Sequence, residues 1–250
     1  MDATEVVAIA AAGMAAGAIN TLVGSGTLIT FPVLLAFGYS PVTANVSNNV
    51  GLVPGSVAGA IGYRRELEGQ RTRALRFALA SAVGATTGAV LLLVLPASAF
   101  KAIVPVFIAI ALVSVIFQPR LDRLVAHRRP PPDAHGTGLP RLGVYLAGVY
   151  GGYFGAAQGI LLLAILGLAL PDGLQRINAL KNVLAGVVNG VAALVFILAA
   201  DIAWGPAALI AGGSVVGAQL AARYGRRLSA EALRAAIVAV GVAAIVQLVT

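Results

Sequence analysis

Two pairs of asparagines stand at the same spacing within otherwise apolar stretches: Asn45 with Asn49, and Asn178 with Asn182. An i,i+4 spacing puts both amides of a pair on one face of a helix. Asn48 and Lys181 hold the equivalent intermediate positions. A carboxamide is expensive in lipid, but it can donate and accept hydrogen bonds. Such a face can hold a small polar ligand or tie helices together, and the spacing leaves both open. Shortly before each pair comes a glycine-rich stretch: Gly24, Ser25, Gly26 and Thr27 in one case, Gly155 to Gly159 with Gln158 in the other. The helix that starts at each stretch offers free N–H groups and a positive dipole end, which favour an anion. The candidate binding set is therefore Ser25, Thr27, Asn45, Asn48, Asn49, Gln158, Asn178, Lys181 and Asn182, with Gly24, Gly26 and Gly159 at the turning points. Its chemistry would be hydrogen bonding to a small anion, with no cofactor and no metal. For Lys181 a second reading is equally good, in which the chain snorkels to the headgroups.

These residues need elements to hold them, and composition says of what kind. The 250-residue chain is 59% hydrophobic and 10% charged, with mean hydropathy +0.94; a soluble domain carries roughly 25% charged residues. Runs such as Ala89 to Leu95 and Ile160 to Ile165 are continuously apolar, without the period-two alternation of a membrane β-barrel. The expected class is an all-α integral membrane protein. Apolar helices are expected at about 5–22, 27–38, 42–62, 75–95 and 101–117, then at about 142–156, 159–170, 177–200, 205–222 and 232–249. Residues 118–140 hold five prolines and both histidines and read as a solvated linker between a first half, 1–117, and a second, 141–250. The helix after each glycine-rich stretch is only a dozen residues, a rise of ~18 Å against a core of ~30 Å. Each stretch should therefore be the tip of a helical hairpin that turns inside the membrane or at its edge. An irregular backbone is tolerated there where protein buries it or a wet cavity borders it.

All of the 17 Lys and Arg except Lys101, Arg176 and Lys181 fall in three short stretches, 64–76, 120–141 and 223–234. Basic loops stay on the cytoplasmic side of a bacterial inner membrane. The linker and Tyr63 are then inside, and Asp201 and both termini outside. The same bias explains the net charge of +8 without nucleic acid as a partner. The absence of cysteine removes disulfides and thiolate sites. The start, Met1 to Glu5, has no basic region, so the first apolar segment does not resemble a cleavable signal peptide and is expected to remain.

The halves also resemble each other. Gly26 and Gly159 are 133 positions apart, and so are Asn45 and Asn178, Asn49 and Asn182, and Lys101 and Arg234. The pair Gly84 and Gly88 recurs as Gly213 and Gly217, a spacing that lets helices approach closely in lipid. With about five segments per half, the second copy should be inverted, an arrangement of many secondary transporters, which bind substrate at the repeat interface.

Two other classes compete. Gly24, Ser25, Gly26 suggests an intramembrane serine hydrolase, but a serine needs a base, and His127 and His135 lie in the linker. Metal catalysis lacks ligands, since all nine Asp and Glu lie in loops or at helix ends. A non-transporting scaffold or assembly factor would also be built of small-residue helices, but it would not need two glycine-tipped hairpins facing paired amides. The reading is a transporter and not an enzyme.

Residues 16–59, AGAINTLVGSGTLITFPVLLAFGYSPVTANVSNNVGLVPGSVAG, give a glycine-rich hairpin, a short helix with Phe31 and Pro32 and an Asn-rich helix in order, and 151–190 echo them. In this the chain resembles the sulfite exporter TauE/SafE family of membrane permeases across nearly its whole length. The resemblance implies an exporter or importer of a small sulfur-containing or organic anion such as sulfite, thiosulfate or a sulfonate. In the second half Gln158 stands for the serine of the tip and Lys181 for Asn48.

Overall fold

The computed structural model describes residues 1–127 and 138–225, with positions 235, 238, 239 and 242. Among them are nine helices: α1 (Ala3–Leu22), α2 (Thr27–Ala36), α3 (Pro41–Gly62), α4 (Arg71–Val94), α5 (Ala97–His127), α6 (Leu139–Tyr153), α7 (Gln158–Ala169), α8 (Leu174–Ala199) and α9 (Trp204–Tyr224). The described regular structure is all helical. Helices α1, α4, α8, α9 and the Ala97–Leu121 part of α5 are long and apolar enough to cross a bilayer. Helix α3 has 22 residues, but its asparagines and serines dilute its hydropathy. Helices α2 and α7, with 10 and 12 residues, are the short ones expected.

Local chemistry sets the ends. Asp2 accepts from the Glu5 N–H to start α1, and Ser40 accepts from the Thr43 N–H, with Pro41 next to it, to start α3. Helix α1 ends where the N–H groups of Val23 and Gly24 both turn back to the Ile19 carbonyl, with Gly24 at φ 91°. Helix α6 ends the same way, Phe154 and Gly155 on the Tyr150 carbonyl and Gly155 at φ 77°. A left-handed residue at this point is the usual helix stop, and glycine adopts it without a Cβ clash. Both glycine-rich stretches are therefore tips, as their composition predicts.

The stretch read as linker is partly helical: α5 continues through Pro119 to His127. Residues 120–127 contain no glycine or proline and five good helix formers, Arg120, Leu121, Arg123, Leu124 and Ala126, so nothing stops the helix there. Helix α6 likewise begins at Leu139 on Pro140. The remaining linker prolines and histidine, and the tenth expected segment, 232–249, lie outside the described residues or are covered only at isolated positions.

Contacts between loops sort the bundle into two ends. Tyr39, after α2, donates to the Glu5 carboxylate at the start of α1, 2.7 Å away, so the first hairpin returns to the end it left. Asp172, between α7 and α8, is ion-paired with Arg73 at the start of α4 and with Arg176, 3.0 Å. Arg176 also donates to the Glu68 carbonyl at 3.1 Å. The second hairpin thus opens toward the basic α3–α4 loop, and the first toward the opposite end.

Helix packing crosses between halves. Helix α4 lies on α6, where a Cβ on Gly84 or Gly88 would strike the carbonyls of Tyr145 and Val149. Helix α9 lies on α1, where Gly213 and Gly217 face the carbonyls of Ala10 and Met14 in the same manner. Phe31, Phe100, Phe107, Tyr153 and Phe154 form an aromatic cluster joining α2, α5 and α6, with Phe31 and Phe154 edge to face at 5.2 Å. Outward, Leu75, Leu79, Val83, Val94, Val106, Ile110 and Val113 are exposed. That apolar exterior suits lipid and would be costly in water.

Candidate functional site

The two tips touch. The Gly159 N–H, in the first turn of α7, donates to the Gly24 carbonyl at 3.0 Å. A Cβ on either glycine would collide with the other's backbone. Gly26 is equally confined, against the Ala16 carbonyl and Asn20. Ala157, just before α7, is left-handed at φ 59°, a conformation that is strained for a residue with a Cβ.

The polar face of α8 meets the C-terminal end of α1. Asn178 and Asn182 both donate to the Thr21 carbonyl, each at 3.3 Å. Between them Lys181 donates to the carbonyls of Asn20, 2.9 Å, and Thr21, 3.4 Å. Lys181 is fully buried, and no carboxylate pairs with it among the described residues. The C-terminal end of a helix carries partial negative charge, so a cation is favoured there. The snorkelling reading of Lys181 is corrected accordingly: its nitrogen turns inward because the unpaired carbonyls of α1 replace water.

The matching face of α3 does something different. Asn45 donates to the Tyr153 carbonyl at the end of α6, 2.9 Å, across the halves. Asn48 stays within its own half, donating to Thr27 Oγ1 at 3.3 Å and accepting from Thr30. Asn49 is 3.5 Å from the Asn189 oxygen, and Asn189 donates to Ser56 at 3.0 Å.

Between these faces lies a cavity of about 20 Å³, lined by Asn20, Thr21, Gly24, Thr27, Ser56, Gly59, Gly155, Gln158, Gly159, Asn182, Ala185 and Asn189. It takes its walls from both tips and from α3 and α8. The space accommodates about one water, too little for a sulfur oxyanion in this conformation. Of the residues expected from sequence, Thr27, Gln158, Asn182, Gly24 and Gly159 line the cavity; Ser25, Gly26, Asn48, Asn49, Asn178 and Lys181 adjoin or bond to lining residues, whereas Asn45 binds Tyr153, which is not among them. The helix-end donors expected to meet an anion are spent on protein: Gly26 N–H on Asn20 Oδ1 at 2.7 Å, Gly159 N–H on Gly24.

Four buried polar atoms in this region have no hydrogen-bond partner among the described residues: Ser25 Oγ, Gln158 Nε2, Asn49 Oδ1 and Asn178 Oδ1. Leaving such a group unmade costs about 1–3 kcal/mol, so a cluster of them is a liability for folding alone. Asn20, Thr21, Ser56 and Asn189 belong to the site and escaped sequence reading. Asn20 and Asn189 have the polar-in-apolar signal that flagged the pairs, but they lack a partner at i,i+4. Thr21 acts through a backbone carbonyl, which no side chain announces.

The comparisons with known proteins agree with this architecture. Residues 9–248 match the family model described as sulfite exporter TauE/SafE. The chain is 30% identical over 239 residues to "Probable membrane transporter protein ORF9" of Sinorhizobium sp., covering 95% of this chain and 89% of that protein. It is 26% identical over 211 residues to "Probable membrane transporter protein YfcA" of Escherichia coli strain K12, covering 84% and 77%. It is also 26% identical over 213 residues to a "Probable membrane transporter protein" of Haemophilus influenzae, covering 84% and 81%. No solved structure matches it.

Proposed function

We propose that this chain, which belongs to the sulfite exporter TauE/SafE family of multi-pass membrane transporters, is a secondary exporter of a small sulfur-containing or organic anion such as sulfite, thiosulfate or a sulfonate. The observation that carries this is the meeting of two hairpins from opposite ends of the bundle, Gly24 on Gly159, beside a polar cavity walled by both halves. Broken helices at matching positions of two halves, bordering a site at their interface, are how many secondary transporters are built.

The halves are read as inverted repeats. In support, the packing of α4 on α6 and of α9 on α1 uses the same glycine spacing against the same kind of carbonyl row. Rocking one hairpin against the other would open the cavity to one end and then to the other. The substrate would meet Thr27, Gln158 and Asn182 in the cavity wall and, as the hairpins part, Ser25 and Asn49 behind it, with Asn45, Asn48, Asn178 and Lys181 holding the hairpins. Neutral amides replace the water an anion gives up and still let it go, since an Arg clamp would bind more strongly.

The membrane in question is the bacterial inner membrane, with the basic end and linker cytoplasmic and the termini outside. A monovalent anion leaving a cell that is negative inside gains about 2.3 kcal/mol per 100 mV, so export is downhill electrically. Flux of sulfite, thiosulfate, sulfate and short sulfonates through proteoliposomes tests the proposal. At least one of these anions should move faster than through protein-free vesicles, and equal rates for all of them would overturn it.

A further inference from the structure

Lys181 is the fully buried cation among the described residues, and no Asp or Glu among them is buried with it. Two of its three ammonium hydrogens go to the Asn20 and Thr21 carbonyls. Both of those residues line the cavity, as does Asn182, the next residue on α8. Asn178, on the same face one turn earlier, leaves its Oδ1 without a partner. The ammonium is thus one layer from the cavity, held by dipoles and with one hydrogen to spare. At the matching place in the first half, Asn48 is neutral, and the bond it donates and the bond it accepts both stay within that half. The halves therefore differ by one ionisable amine at one point of the site.

We propose that Lys181 sets the charge of the cargo: the carrier takes a monovalent anion, such as hydrogensulfite or an alkylsulfonate, whose single negative charge balances the ammonium in the loaded state. Lys181 has this role only if the chain is the anion transporter proposed above. An unpaired ion in a low-dielectric interior is strongly disfavoured, and an ion paired one to one is much less so. The empty carrier parks the ammonium on the negative end of α1, where carbonyl dipoles stand in for a counter-ion. A monoanion in the cavity completes the pair and leaves no net charge to carry through the core. A dianion would leave one negative charge uncompensated, and a neutral ligand would leave the ammonium as it was. No second cation stands among the described residues that line the cavity to correct either case.

Thermal unfolding of the purified protein in detergent, titrated with three probes, tests this. Methanesulfonate is a monoanion, thiosulfate a dianion and dimethyl sulfone a neutral molecule of similar size. The parent should be stabilised by methanesulfonate at a concentration at least about tenfold below that needed of the other two. Lys181→Arg should keep that order. Lys181→Asn, which places on α8 the residue that α3 already carries at Asn48, should still unfold cooperatively and lose the preference. A parent stabilised best by thiosulfate overturns the charge assignment and leaves anion transport standing; so does a Lys181→Asn protein with the parent's preference. A parent stabilised by none of the three counts against the transport reading as well. The parent's own order is read without a variant, so the test holds if Lys181→Asn fails to fold.

Discussion

The carbonyl oxygen of Gly24 accepts a hydrogen bond from the backbone N–H of Gly159 at 3.0 Å, across 135 residues of chain (159 − 24). It brings the irregular backbone of one hairpin against the first turn of the other, so each satisfies a group that lipid could not. Two hairpins entering from opposite ends can meet this closely only if neither carries a Cβ at the crossing.

Gly24→Ala should for that reason be more damaging than an ordinary surface change. The new Cβ meets the Gly159 backbone, and at φ 91° it is strained as well. Gly159→Ala has the clash without the strain. We expect losses of about 1–3 kcal/mol for overpacking, larger for Gly24→Ala, together with loss of flux. Melting curves and proteoliposome flux of both variants measure this. Parent-like behaviour in both would mean that the tips do not meet as described.

The tips, the short helices and the paired amides were legible in sequence because each has a local signature: glycine at a stop, a run too short to cross, polar residues at helical spacing. The contacts that complete the site were not. Lys181 reaches Asn20 over 161 positions, and no local pattern tells that the C-terminal end of α1 will be its acceptor. The extent of α5 is hidden for the opposite reason: the prolines and charges of 118–140 read as a loop, whereas 120–127 hold no glycine or proline and mostly good helix formers. Asn48 and Lys181 look equivalent by position, yet only the structure separates one closed within its half from one that bridges both.

The two ends of the bundle can be assigned to the two sides of the membrane with single cysteines, because the parent has none. Arg65 in the α3–α4 loop and Asp201 between α8 and α9 are both exposed. In intact spheroplasts an impermeant maleimide should reach Asp201→Cys directly and Arg65→Cys only after permeabilisation. Labelling of both from the same face would contradict the topology.

The Arg73, Asp172 and Arg176 cluster fastens the opening of the second hairpin to the basic loop. Its members are partly exposed, which limits what the pairs contribute. A double-mutant cycle of Arg73→Ala and Asp172→Ala should give a coupling of about 0.5–1 kcal/mol that shrinks in high salt. A coupling of zero at low salt would make the brace a geometric coincidence. If the brace also restrains the rocking of α7, Asp172→Ala should alter the flux rate while thermal stability changes little.

The sharpest separation of function from structure lies at Gln158. Its side chain is buried over Gly151 and its Nε2 has no hydrogen-bond partner among the described residues. An unsatisfied buried amide weakens the fold, whereas methionine has nearly the same length and shape, fills irregular space and asks for no partner. If Gln158 is kept for packing, Gln158→Met should leave transport intact. If it is kept to donate to an anion, the same change should remove the donor while relieving the fold. We expect the second pattern: melting temperature unchanged or raised, corresponding to up to about 1 kcal/mol, with flux reduced tenfold or more. Measuring both quantities on one preparation decides between the two, because a packing role cannot raise stability and abolish flux together. A Gln158→Met protein that transports at the parent's rate would remove Gln158 from the binding site, whatever its melting temperature.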